Sequence, residues 1–206
     1  MTNATARLAC LRHGESENVV RRQVGALPGM RLTGRGRDQA AAAADLLRGW
    51  RAETIYASDA VRAQETAAII AAALHLDVTV LPGLAEVGIG AREGAADPAT
   101  WRCVAQVLQT WLVRGDLGPR VADGENGHEV TGRVSQALAG IAAAHPGRTA
   151  IVVGHTGSLA AAVSVLCGGG PALWGAPLPH AAPFPLTREG PRWRCDWPGL
   201  PQVPAT

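Results

Sequence analysis

The sequence predicts an α/β fold: a three-layer α/β/α sandwich around a mainly parallel sheet. Three observations predict it. Short apolar runs of strand length alternate with longer, alanine-rich stretches of helical length. Two of the runs, residues 6–11 and 149–153, end abruptly in polar residues beside glycine. No internal repeat is visible. Open α/β sheets take their ligands at the carboxyl ends of strands, so those two ends mark the expected crevice.

The elements follow in chain order. Residues 6–11 read as the first strand, ending at Arg12-His13-Gly14. Residues 14–34 are a long irregular segment, and such a loop inside a compact domain is usually functional. A helix is expected over 35–50, with Leu46 and Leu47 on one face, then a short strand over 54–57. Ser58 or Asp59 is expected to cap a helix running to about His75. Residues 78–81 alternate like a strand. Glycines and prolines then break the rhythm, and residues 88–124 read as a small cap insertion over the crevice. Its helix, over 98–113, carries Trp101 and Trp111 at helical spacing; both fit either the cap's inner face or plain core. A long helix is expected over 125–145, a strand over 149–153 and a helix over 156–167. Residues 168–179 read as a loop, residues 183–195 as a closing hairpin, and the tail from Pro198 as frayed.

Composition removes several classes of function. The length of 206 residues suits a single domain spanning 1–206, and 47% apolar residues suit a packed core. The formal charge of +2 comes from scattered arginines without a basic run, which argues against a nucleic-acid partner. All 19 basic residues are arginine, so chemistry on a lysine is excluded. Cys10, Cys103, Cys167 and Cys195 form no C-x-x-C pair and read as small buried apolar groups. Residues 1–7 lack a signal peptide's apolar core, and Asn3-Ala-Thr5 is a glycosylation sequon without secretory context. No apolar run reaches the ~20 residues that span a bilayer. The expectation is a cytoplasmic monomer or homodimer with no membrane partner.

Arg12 and His13 pair a permanent cation with an imidazole at a strand end. A neutral imidazole can attack phosphorus, and a guanidinium fork suits phosphate oxygens. Gly14 permits close backbone approach. Arg62, about one turn into its helix, can reach an anion at that helix's amino end; alternatively it pairs with Glu65 on the surface. His155 ends one strand and opens a helix at Thr156, where the dipole favours negative charge. Glu86, in a glycine-rich stretch, is a candidate acid for a departing alkoxide, with Glu93 its rival. Asn18, Gln23, Ser58 and Thr156 complete a polar wall, while Glu15 and Glu125 read as structural. His180 is a candidate for the pocket rim, and His75, His128 and His145 read as helix-end or surface groups. A metal held by His13 and His155 is the alternative, but no third ligand has suitable spacing.

Arg12-His13-Gly14-Glu15-Ser16 with Asn18 resembles the signature of the histidine phosphatase superfamily, the phosphoglycerate-mutase-like family. The resemblance extends through Leu32-Thr33-Gly34, residues 56–67, Glu86 with Glu93-Gly94, Gly124-Glu125 and Gly154-His155, in family order. It implies the same sandwich fold and hydrolysis of a small phosphate monoester without metal or organic cofactor. His13 would become a phosphohistidine, Arg12, Arg62 and His155 would hold the phosphoryl group, and Glu86 would be general acid and then base. Mutases of the family carry a longer insertion with more basic residues. Residues 95–120 offer only Arg102, Arg114 and Arg120, which favours hydrolysis over mutase-type transfer. A non-catalytic phosphate-binding or interaction module is the remaining alternative. The substrate is not readable; Arg21, Arg31, Arg92, Trp101, Arg102, Trp111, Trp174 and His180 are candidates to shape its pocket.

Overall fold

The computed structural model describes residues 4–199. Asn3 of the sequon and the tail beyond Gly199 lie outside the described residues. Six strands form one sheet in the order β3-β2-β4-β1-β5-β6. They are β1 (Ala6–Arg12), β2 (Ile55–Ala57), β3 (Val78–Val80), β4 (Thr149–Gly154), β5 (Phe184–Glu189) and β6 (Arg192–Cys195). The first four pair in parallel, and the β5–β6 hairpin adds antiparallel to β1. This is the predicted α/β sandwich.

The two central strands are apolar on both faces because helices cover both. Leu8 and Cys10 of β1, with Ala150 and Val152 of β4, pack on the side of α5 (Gly127–Ala144) and α6 (Thr156–Cys167). Their neighbours Ala9, Leu11, Ile151 and Val153 pack on the side of α2 (Gly34–Leu47) and α3 (Val61–Leu74). A one-residue slip would exchange the two faces, so register is tightly specified. β1 leads into α2 on one face and β4 leads into α6 on the other. Adjacent parallel strands that diverge in this way open a crevice at their carboxyl ends, and Arg12 pairs with Gly154 at that level.

Local differences from the sequence reading have physical causes. Residues 14–34 contain a short helix, α1 (Glu17–Val20), and a bridge between Ser16 and Leu32. Leu47 is buried but Leu46 is 64% exposed, because consecutive helical residues point about 100° apart. α3 begins at Val61 with Ala60 as N-cap, so neither Ser58 nor Asp59 is its cap residue. The cap helix α4 (Pro98–Gln109) is capped by Asp97 and passes into a π-turn over Thr110–Arg114. The glycine-rich stretch after α6 holds a one-and-a-half-turn helix, α7 (Gly170–Gly175). No described helix is long and apolar enough to cross a membrane. All four cysteines are free; Cys10 is buried, whereas Cys103, Cys167 and Cys195 are half-buried rather than core.

Candidate active site

The β1 and β4 ends bring the two histidines together. The His13 amide donates to the Gly154 carbonyl at 3.0 Å, and the two imidazole centroids lie 5.1 Å apart. Gly14 behind them packs on Gly36, whose carbonyl a Cβ would strike. The close approach expected of Gly14 is therefore to the backbone of the first turn of α2. Gly36, in a Gly34-Arg-Gly36 run without nucleotide-motif spacing, is explained by the same contact.

Hydrogen bonds define both tautomers. His13 Nδ1 lies 2.6 Å from the Gly14 carbonyl, which can only accept, so the proton is on Nδ1 and the lone pair on Nε2. Arg62 Nε donates to that lone pair at 3.1 Å. A terminal nitrogen of Arg62 donates to His155 Nδ1 at 3.3 Å, leaving His155 Nε2 to donate to Ser58 Oγ at 2.8 Å. Burial pushes both imidazoles well below their ordinary range, and Arg12 and Arg62 push the same way. Both rings are neutral at pH 7.

Arg62 is 1% exposed and lies in the first turn of α3, closer to the helix start than its spacing suggested. Besides the two rings it donates to the carbonyls of Ala26 and Leu27, each at 2.7 Å. It does not pair with Glu65, which accepts from the Leu32 amide and Arg31 instead. Arg12 donates to the Leu178 carbonyl at 3.2 Å, and its buried Nε has no partner. Among the described residues neither guanidinium is in an ion pair. Burial lowers both from their ordinary values, yet arginine keeps its charge at any working pH. Two desolvated positive charges with no direct ion pair, and only the nearby Glu86 charge acting on both, favour an arriving anion.

Glu86 stands at the α6 amino end. Its carboxylate accepts from the amides of Val87 at 2.9 Å, Ser158 at 2.8 Å and Gly157 at 3.1 Å. Gly157 leaves room for it, since a Cβ there would come within 2.9 Å of Glu86 Oε1. Glu93 instead accepts from the Leu27 and Ile89 amides and braces the loop. Arg133 was not legible as a site residue. It grips Glu125 with two nitrogens at 2.7 and 2.8 Å and donates to the carbonyls of Gly83, Ala85 and Glu86. The only hint is an arginine between Val130, Val134 and Ala137 on an apolar helix face. Glu15 and Glu125 are structural as read: Glu15 accepts from Thr33 and Glu125 from the Gly88 amide.

A cavity of about 720 Å3 opens above this floor. Arg12, His13, Asn18, Gln23, Arg62, Glu86 and Thr156 line it, as do Trp101, Arg102 and Trp111 of the cap. Ser58 and His155 stand behind the lining, with Ser58 engaged by His155 rather than open to the cavity. Arg21, Arg31, Arg92 and Trp174 are not part of the wall. His180 donates from Nδ1 to the His13 carbonyl at 3.0 Å, a backbone anchor beside the ring. His145 bonds the Tyr56 hydroxyl at 3.0 Å, a tertiary contact its place at a helix end does not announce.

The profile of the histidine phosphatase superfamily (branch 1) matches residues 8–199. The chain belongs to that superfamily. A probable phosphoglycerate mutase GpmB of Enterobacter sp. (strain 638) is 33% identical over 164 residues, covering 77% of this chain and 73% of that one. The solved structure of the mycobacterial glucosyl-3-phosphoglycerate phosphatase Rv2419c complexed with VO3 is 28% identical. It superposes with a TM-score of 0.78 over 93% of this chain and 97% of its own. A structure described as mycobacterial hydrolase 1 is 27% identical at a TM-score of 0.80, with the same two coverages. Histidine phosphatases thus resemble this chain in sequence and share its fold, and phosphoryl transfer to water or to an alcohol is the chemistry that goes with them.

Proposed function

We propose that the chain is a single catalytic domain that hydrolyses a small phosphate monoester through a phosphohistidine on His13. One observation carries the reading: a neutral imidazole with its Nε2 lone pair fixed by the Gly14 carbonyl, beside two buried guanidinium groups of which neither is in an ion pair among the described residues. On binding, phosphoryl oxygens take the free donors of Arg12 and draw the Arg62 fork off His13. Nε2 then attacks phosphorus as the ester P–O bond breaks, and the proton that a monoanionic ester delivers to Glu86 passes on to the departing alkoxide. In the second half Glu86 takes a proton from water, the water oxygen bonds phosphorus, and the N–P bond breaks. Arg12 and Arg62 hold the equatorial oxygens, and His155, its Nε2–H held by Ser58, stands behind them as the acceptor that orients the Arg62 fork.

Hydrolysis is preferred to mutase-type transfer because the cap brings few cations to the cavity. Arg102 lines it, Arg120 lies 3.9 Å from Glu129, and Arg114 is not in the wall. Metal assistance is not required by this scheme, and no group of three or more His, Cys, Asp or Glu among the described residues is arranged to hold an ion. The test is rapid-quench labelling with a ³²P ester, a strong chelator present throughout. An acid-labile, alkali-stable phosphoenzyme is expected in the parent protein and none in His13→Ala. A label that persists in His13→Ala, or turnover that needs a divalent ion, refutes the scheme.

A further inference from the structure

The walls of the cavity differ from its floor. Small-molecule sites usually enclose about 300–1,000 Å3, and this one, at about 720 Å3, holds far more than a phosphate and three carbons. Above the polar floor the lining is Val24, Ile89, Val104, Val107, Leu108 and Val121. Two indoles complete it, and both have their only donor engaged elsewhere. Trp111 Nε1 donates to the Pro119 carbonyl at 2.8 Å, and Trp101 Nε1 to the Arg22 carbonyl at 2.8 Å. Arg22 and Arg102 line the mouth but are exposed, so water solvates their charge. The Gln23 Oε1 has no partner either, but it is buried away from the cavity and offers nothing to a ligand there.

A sugar or glycerate entering this space would strip water from several hydroxyls and meet mostly aliphatic and indole carbon. Desolvated hydroxyls without partners weaken binding, whereas methylene and aryl groups gain from the same wall. We infer that the alcohol of the natural ester is a bulky apolar one, aryl or branched alkyl. This rests on the phosphatase reading and narrows it.

The test is phosphate release from ethyl, butyl and hexyl phosphate, with 3-phosphoglycerate and glucose 6-phosphate alongside. The alkyl esters share one leaving-group chemistry, so differences report the wall. Full burial is worth roughly fourfold per methylene, so kcat/KM is expected to rise on the order of 10²-fold from ethyl to hexyl. The double substitution Val104→Thr with Val107→Thr keeps side-chain shape and is expected to lower the hexyl-to-ethyl ratio. Should that variant not fold, the parent series decides alone. A flat series, or a preference for 3-phosphoglycerate or glucose 6-phosphate over hexyl phosphate, overturns this inference and leaves the phosphatase reading standing. No phosphate release from any ester overturns both.

Discussion

Acidification from about pH 7.5 to about pH 5.5 is expected to destabilise the fold, by at most about 3 kcal/mol through His13 and His155. Both imidazoles are buried and neutral, with burial the main cause. In the unfolded chain they titrate near pH 6.5. Below that value the unfolded state binds protons that the folded state refuses, so stability falls as pH falls. Each ring that stays neutral in the folded protein contributes a slope of about 1.4 kcal/mol per pH unit. One unit below the unfolded pKa, two rings give the stated limit, a sizeable part of the ~5–15 kcal/mol that usually holds a domain together. His180 is lowered too, by burial and then by Arg12, and steepens the effect. Glu125 does not confuse the window. Burial would raise it, but Arg133 and the Gly88 amide win and keep it below its ordinary value, so it titrates at lower pH. The assay is urea unfolding at both pH values in phosphate-free buffer, since a bound anion would add its own stabilisation. The control is the double substitution His13→Gln with His155→Gln, which removes both titrating rings. Equal midpoints at the two pH values, or an equal loss in the control, would refute the neutral-pair argument.

Two further outcomes follow from the carboxylate side of the site. Glu86→Gln is expected to slow phosphoenzyme formation from alkyl esters by ~10²–10⁴-fold, and from nitrophenyl phosphate much less; single-turnover rates with both esters check it, and equal losses would leave Glu86 a mere positioner. Arg133→Met removes the donor from Glu125 and from three carbonyls around Glu86; a stability loss of about 1–3 kcal/mol by urea unfolding is expected, together with a milder copy of the Glu86→Gln leaving-group pattern, and normal kinetics on both esters would sink that role.

The central strands and the residues at their ends were legible because burial on both faces leaves an apolar run that stops where the site begins. Thr156–Cys167 was read to its exact bounds for that reason: a strand and a glycine precede it, and glycines follow. Arg12, His13 and His155 converge because sheet order, once β1 and β4 are neighbours, leaves them nowhere else to go. What escaped depends on tertiary partners. Ser58 looked like a cap, but its hydroxyl serves His155 and accepts from the Ala60 amide, so local propensity yields to a contact 97 residues away. Arg133 looked like any helical arginine, because three of its acceptors are backbone carbonyls that carry no mark in the sequence. Neither the π-turn at Thr110–Arg114 nor α7 has a composition that separates it from helix or loop. The apolar wall was likewise invisible, since spacing along α4 does not say which valines face a cavity.

Arg62 ties together four parts of the chain: the loop at Ala26 and Leu27, its own helix, the end of β1 through His13, and the end of β4 through His155. Sequence separations across these contacts run from 35 to 93 residues. The anion site therefore does not exist in fragments. A chain that has formed one half of its sheet, or left the loop undocked, has neither the fixed lone pair nor the oriented fork. On the reading proposed above, affinity for an oxyanion requires all four parts in place, so activity counts completed molecules rather than compact ones. An oxyanion that occupies the site will in turn protect the amides of both sheet halves together against hydrogen exchange, not those of one loop.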